Sequence, residues 1–136
     1  MVGAMKSWSV YSGAFSPISL ERYKRAQKIV DAIPDGIEEL EEITIRCHEL
    51  ARVVSICLEV PFVDGKYGAV EHSWLEWVDQ TKHRTILDVY AVGVEPMVQL
   101  VHSPIGLLNL WQPGEFRDDI NFHVVDTLLS IVRDKL

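Results

Sequence analysis

Cys47, His72 and Asp88 are the three side chains whose types together fit cysteine-based acyl transfer. That chemistry needs a thiolate, a histidine near enough to exchange its proton, and a third group that orients the imidazole. Cys47 stands in Arg46-Cys47-His48-Glu49-Leu50-Ala51-Arg52-Val53-Val54, where Leu50, Val53, Val54 and Cys57 recur at three and four residues. The spacing predicts a helix over Cys47 to Leu58 with the thiol in its first turn, where free amides favour a thiolate. His72 falls in Glu71-His72-Ser73-Trp74-Leu75 and Asp88 in Ile86-Leu87-Asp88-Val89-Tyr90, both strand-like runs. Asp88 interrupts apolar residues, and a carboxylate there needs a partner.

The elements that must position these groups read as follows. Ser16 and Pro17 open an amphipathic helix to Ile33, with Leu20, Tyr23, Ala26, Val30 and Ile33 on one side. Pro34, Asp35 and Gly36 stop it, and the acidic stretch Glu38 to Glu42 reads as a solvated face or loop. Val60 to Val63 is a short strand, Asp64-Gly65 a turn, Tyr67 to Val78 a strand, Asp79-Gln80-Thr81 a tight connection, and Thr85 to Val92 the next strand. With Gln80 at the tip, His72 is directly opposite Asp88 on one face of the hairpin. Met97 to His102 is a further strand, Ser103 to Arg117 an irregular segment, and Asp118 to Leu136 a final helix. Its inner side carries Ile120, Val124, Val125, Leu128, Ile131 and Val132. The expected fold class is α+β: an N-terminal helix and a Cys-bearing helix packed on an antiparallel sheet, then a C-terminal helix.

Other side chains compete for attention. Cys57 lies on the apolar stripe of its helix and is assigned to the core. His48 and Glu49 resemble the start of the zinc motif His-Glu-x-x-His, but Arg52 takes the place of the second histidine. A looser metal site from His48, Glu49, His72 and Asp88 stays open. The triad itself needs no metal or other cofactor, and none is expected. His83, His102 and His123 read as surface residues; Trp8, Trp74, Trp77 and Trp111 read as core, with room for one to wall a cleft.

Composition sets the outer limits. The 136 residues, 48% of them hydrophobic, suit one domain spanning residues 1–136. A formal charge of −7 repels phosphate backbones, so nucleic acid is not an expected partner. Neither a secretory leader nor a membrane-length apolar run is visible, so a cytoplasmic protein with no membrane partner is expected. Two cysteines in a reducing compartment are expected to stay unpaired.

From Ile43 to Ala91 the chain resembles the transglutaminase-like branch of the papain-like cysteine protease superfamily. The residues that carry the resemblance are Cys47 at a helix start, Glu71-His72-Ser73-Trp74-Leu75, and Ile86-Leu87-Asp88-Val89, in the order Cys, His, Asp. The resemblance implies a papain-like core and a Cys47-His72-Asp88 catalytic triad. It further implies a peptidase, amidase or acyltransferase acting on a peptide, protein or small amide. The glutamine that such enzymes place before the cysteine has no counterpart, because Glu41, Glu42 and Thr44 stand there. An oxyanion donor must come from elsewhere, for instance the Cys47 backbone N–H. A non-catalytic adaptor domain that keeps the fold and binds a protein partner is the alternative reading.

Overall fold

The computed structural model describes residues 7–9, 15–33, 45–79, 82–90, 96–102 and 109–136. The expected stop at Pro34 to Gly36 and the acidic stretch Glu38 to Glu42 lie outside them. The class is α+β, with three helices and one six-stranded sheet among the described residues.

Helix α1, Pro17–Ala32, starts where its capping signal lies: Ser16 Oγ accepts the Ser19 N–H at 3.1 Å, with proline in the first turn. Its buried line runs through Ser19, Ala26, Ile29, Val30 and Ala32. Leu20, expected on that line, is 40% exposed. The Trp77 indole N–H donates to Ser19 Oγ at 3.1 Å, so the serine side of the helix turns to the sheet.

Helix α2 spans Cys47–Leu58, the range the spacing predicts. Residues 47–54 are all buried, so α2 is an interior helix whose polar members His48, Glu49 and Arg52 each need a partner. Cys57 is only half-buried, at the rim of a surface groove shared with Arg25 and Arg133, and burial pushes its thiol up. Helix α3, Phe122–Lys135, begins later than expected. Asn121 is the residue that caps it, accepting the His123 and Val124 N–H groups, while Asp119 is spent on Arg46 and Arg117.

The strands are β1 (Ser7–Ser9), β2 (Phe62–Tyr67), β3 (Val70–Val78), β4 (Arg84–Asp88), β5 (Val98–His102) and β6 (Trp111–Pro113). Their order is β1-β5-β4-β3-β2-β6; β1 runs parallel to β5, and every other pairing is antiparallel. One core gathers Leu50, Val53 and Val54 of α2 with Leu75, Leu87 and Leu100 of the sheet and the inner faces of α1 and α3. A second, smaller cluster of Trp74, Ile86, Val101 and Trp111 covers other sheet positions. No described helix is long and apolar enough to cross a membrane.

Four strand expectations are corrected. Asp64-Gly65 is not a turn but the middle of β2, which runs on to Tyr67; the chain reverses at Gly68, φ 61°, and Ala69. Asp64 stays extended because its carboxylate has buried partners, and Gly65 because β6 lies against it. A Cβ at Gly65 would strike Gln112 O and approach Pro113 Cα and Trp74 Cη2 at 2.9 Å each. The segment expected to be irregular thus contains β6, paired through Gly65↔Pro113 and Tyr67↔Trp111. Finally, β3 and β4 pair as Leu75↔Leu87 and Val78↔Arg84, two residues away from the expected register, so His72 is not directly opposite Asp88. A shift of two preserves alternation, and both residues still share a face. Regular pairing of β4 ends at Asp88, short of the expected run to Val92, whose last two residues lie outside the described ones.

Gly65→Ala is expected to destabilise the fold by about 1–3 kcal/mol through overpacking against β6. Urea unfolding should show a lower midpoint at unchanged slope. An unaltered midpoint would mean that β6 is not held against β2 in this way.

Candidate active site

Each candidate side chain is delivered by a different element. Cys47 is the first residue of α2, and its place is fixed by the residue before it. Arg46 forms ion pairs with both Glu49 and Asp119, and the buried Glu49 carboxylate also accepts the Asn121 N–H at 3.1 Å. The start of α2 is thereby tied to the start of α3. Burial works against the Glu49 carboxylate, but the Arg46 guanidinium and the Asn121 N–H hold it below its ordinary range.

His72 and Asp88 meet as the shared face predicts. His72 Nε2 lies 2.7 Å from Asp88 Oδ2, with both side chains buried. The carboxylate is oriented by two further donors: Trp111 Nε1–H reaches Oδ2 at 3.0 Å and the Tyr90 N–H reaches Oδ1 at 3.0 Å. Since Nε2 is committed to Asp88, Nδ1 is the atom of His72 left for proton exchange with a thiol. Tyr67 and Trp74 rings flank the imidazole, each centroid 6.1 Å away.

A second imidazole, not singled out for this role in the sequence, also faces the thiol. Cys47 Sγ lies 3.6 Å from His48 Nδ1 and 3.9 Å from His48 Nε2. His48 Nδ1 is 2.7 Å from Ser73 Oγ, and Ser73 donates its one hydroxyl hydrogen to Asp64 Oδ1 at 2.6 Å. A hydroxyl whose hydrogen is used can only accept, so His48 Nδ1 carries a proton and donates to Ser73. Asp64 in turn takes both guanidinium nitrogens of Arg52, at 3.0 and 2.6 Å, and the Arg117 N–H at 3.0 Å. Burial disfavours the Asp64 carboxylate, but these donors outweigh it and hold its pKa down. Arg52 also donates to the His48 carbonyl at 3.0 Å and lies over the Phe62 ring. The sequence signal for this chain was the same as for Asp88: a charged residue, Arg52, set among apolar ones.

The electrostatics follow from these contacts. Burial pushes the Cys47 thiol up, yet hydrogen bonding to His48 and to His72, with their charges, brings it down to about 6. Burial pulls His72 down, while Asp88 and then Cys47 raise it to about 10. Between those values the favoured state is a thiolate beside an imidazolium.

The looser metal site is not assembled. Glu49 is bound to Arg46, His48 to Ser73 and His72 to Asp88, in separate contacts. Of the residues expected at the surface, His123 is exposed, His83 half-buried and His102 buried, the last because it ends a strand inside the sheet. Trp74 and Trp111 are buried as expected, Trp77 partly so, and the Trp8 side chain lies outside the described residues.

Comparison with known protein families, with curated proteins and with solved structures finds no match. What the site can do therefore follows from its own geometry.

Alkylation consumes the deprotonated thiol, so iodoacetamide labelling of Cys47 should rise with pH to half its plateau near pH 6. Cys57 should need a pH above its ordinary value of 9.0. His72→Ala and His48→Ala should each move the Cys47 midpoint upward, and a midpoint untouched by either would remove the electrostatic account. Arg52→Met leaves the buried Asp64 without its counter-ion and should cost about 3–5 kcal/mol in chemical unfolding. A cost under about 1 kcal/mol would show that Asp64 finds another partner.

Proposed function

We propose that this chain is a papain-like, transglutaminase-type cysteine acyl-transfer enzyme, a peptidase or amidase, with Cys47, His72 and Asp88 as its triad. The observation that carries the reading is geometric: Cys47 opens α2, and His72 Nε2 is held 2.7 Å from the buried Asp88 carboxylate, an arrangement that brings the thiol down to about 6 and the imidazole up to about 10. An ordinary buried cysteine is shifted the other way, as Cys57 is.

In this reading the Cys47 thiolate attacks the carbonyl carbon of an amide, forming a C–S bond and a tetrahedral oxyanion. The Cys47 backbone N–H is the oxyanion donor; it opens α2, whose capping residue Arg46 supplies no side-chain acceptor. His72 gives the proton on Nδ1 to the leaving nitrogen as the C–N bond breaks and a thioester remains. Water then attacks the thioester, His72 takes its proton back at Nδ1, and acid and thiolate are released. An amine in place of water makes the same cycle a transfer. Asp88 keeps Nε2–H paired throughout, so that Nδ1 faces the reaction.

The alternative is an adaptor domain that binds a protein through a groove. It is favoured by an open groove of about 600 Å³ beside β2 and β6, lined by Lys66, Glu71, Glu115 and Arg117 and by none of the triad.

Incubation with p-nitrophenyl acetate tests the first reading. Intact mass should show one acetyl group on Cys47, absent in Cys47→Ala and formed roughly 100-fold or more slowly in His72→Ala. No acyl-enzyme, or equal rates in the two histidine states, would sink catalysis. A folded Cys47→Ala protein that kept every cellular effect would favour the adaptor.

A further inference from the structure

Away from Cys47, the mouth of the β3–β4 hairpin gathers a second group of ligating side chains. Asp79 follows β3, His83 precedes β4, and His102 ends β5, where it pairs with Thr85. One potential ligand atom from each residue lies within 4.8 Å of the other two, and among the described residues no other group of three meets that condition. The His83 and His102 rings are 5.6 Å apart between centroids.

The backbone presets this arrangement. Asp79 N–H donates to the His83 carbonyl at 3.0 Å, Lys82 N–H to the Asp79 carbonyl at 2.9 Å, and His83 N–H to Asp79 Oδ1 at 2.9 Å. Lys82 takes the left-handed conformation, φ 63°, that closes such a turn. His102 is buried, with Phe15 packed on its ring at 4.3 Å. Asp79 and His83 are half-buried and open the site to solvent.

We propose that Asp79, His83 and His102 form a binding site for a first-row divalent transition-metal ion, for which Zn²⁺ is the probe. Two imidazole nitrogens and a carboxylate oxygen match the ligand set of zinc, whereas calcium and magnesium favour oxygen alone. Tetrahedral ligands about 2.0–2.1 Å from the ion stand about 3.3 Å from one another, so small side-chain rotations close the group on a cation. Water takes the fourth position. The bound ion fastens the hairpin mouth to the end of β5 and braces the two strands that carry His72 and Asp88. The site does not depend on the acyl-transfer reading.

The test uses the full chain carrying Cys47→Ser and Cys57→Ser, so that thiols cannot compete. Equilibrium dialysis should retain one Zn²⁺ per chain, Co²⁺ should give visible d–d absorption, and saturating Zn²⁺ should raise Tm by about 5 °C or more. His83→Gln should abolish all three signals. Asp79→Asn, whose amide oxygen still accepts the His83 N–H and keeps the turn, should weaken binding roughly tenfold or more. Should His102→Asn fail to fold, His83→Gln still decides. No Zn²⁺ retained beyond that of His83→Gln, or retention unchanged by it, would overturn the site and leave a hydrogen-bonded turn lock.

Discussion

The carboxylate of Asp64 is the constraint around which the chain is arranged. Buried in β2, it takes hydrogen bonds from Arg52 of α2, Ser73 of β3 and the Arg117 N–H ahead of α3. An anion removed from water is tolerable only when every lone pair has a donor. That demand draws one helix, two strands and the approach to another helix to a single point. It also sets Ser73 as an acceptor, and through Ser73 the proton position on His48 beside the thiol. A structural knot and a chemical setting are therefore the same set of atoms.

The candidate site is a contest between burial and paired charge. Cys47, His72 and Asp88 are all nearly withdrawn from solvent, and withdrawal alone favours neutral forms. Two imidazoles around one sulfur reverse that tendency for Cys47, and a carboxylate with three donors reverses it for His72. The helix start adds partial positive charge at the sulfur. Arg46 holds that start in place by gripping Glu49 and Asp119 rather than by capping.

Much of this was legible in local patterns. The cap at Ser16 and the apolar repeat of α2 are short-range signals, and both elements begin where those signals lie. His72 and Asp88 share a face although their register was misplaced by two, because an even slip leaves alternation intact. Asp88 betrayed itself as a charge in an apolar run. Other features depend on partners distant in sequence. Asp64-Gly65 has turn composition, and partners distant in sequence, among them Arg52, β3 and β6, make it strand. Trp111–Pro113 has no strand pattern of its own; β2 recruits it. His102 looked like a surface residue because nothing nearby in sequence tells that β5 lies inside the sheet.

The outer strand β6 bears on how an extended peptide would approach. It has three residues, and its last, Pro113, has no N–H to offer. A peptide laid along this edge would find too short a ladder to be held by strand addition. A peptide approaching this side would instead meet the side chains of Lys66, Glu71 and Arg117 in the neighbouring groove.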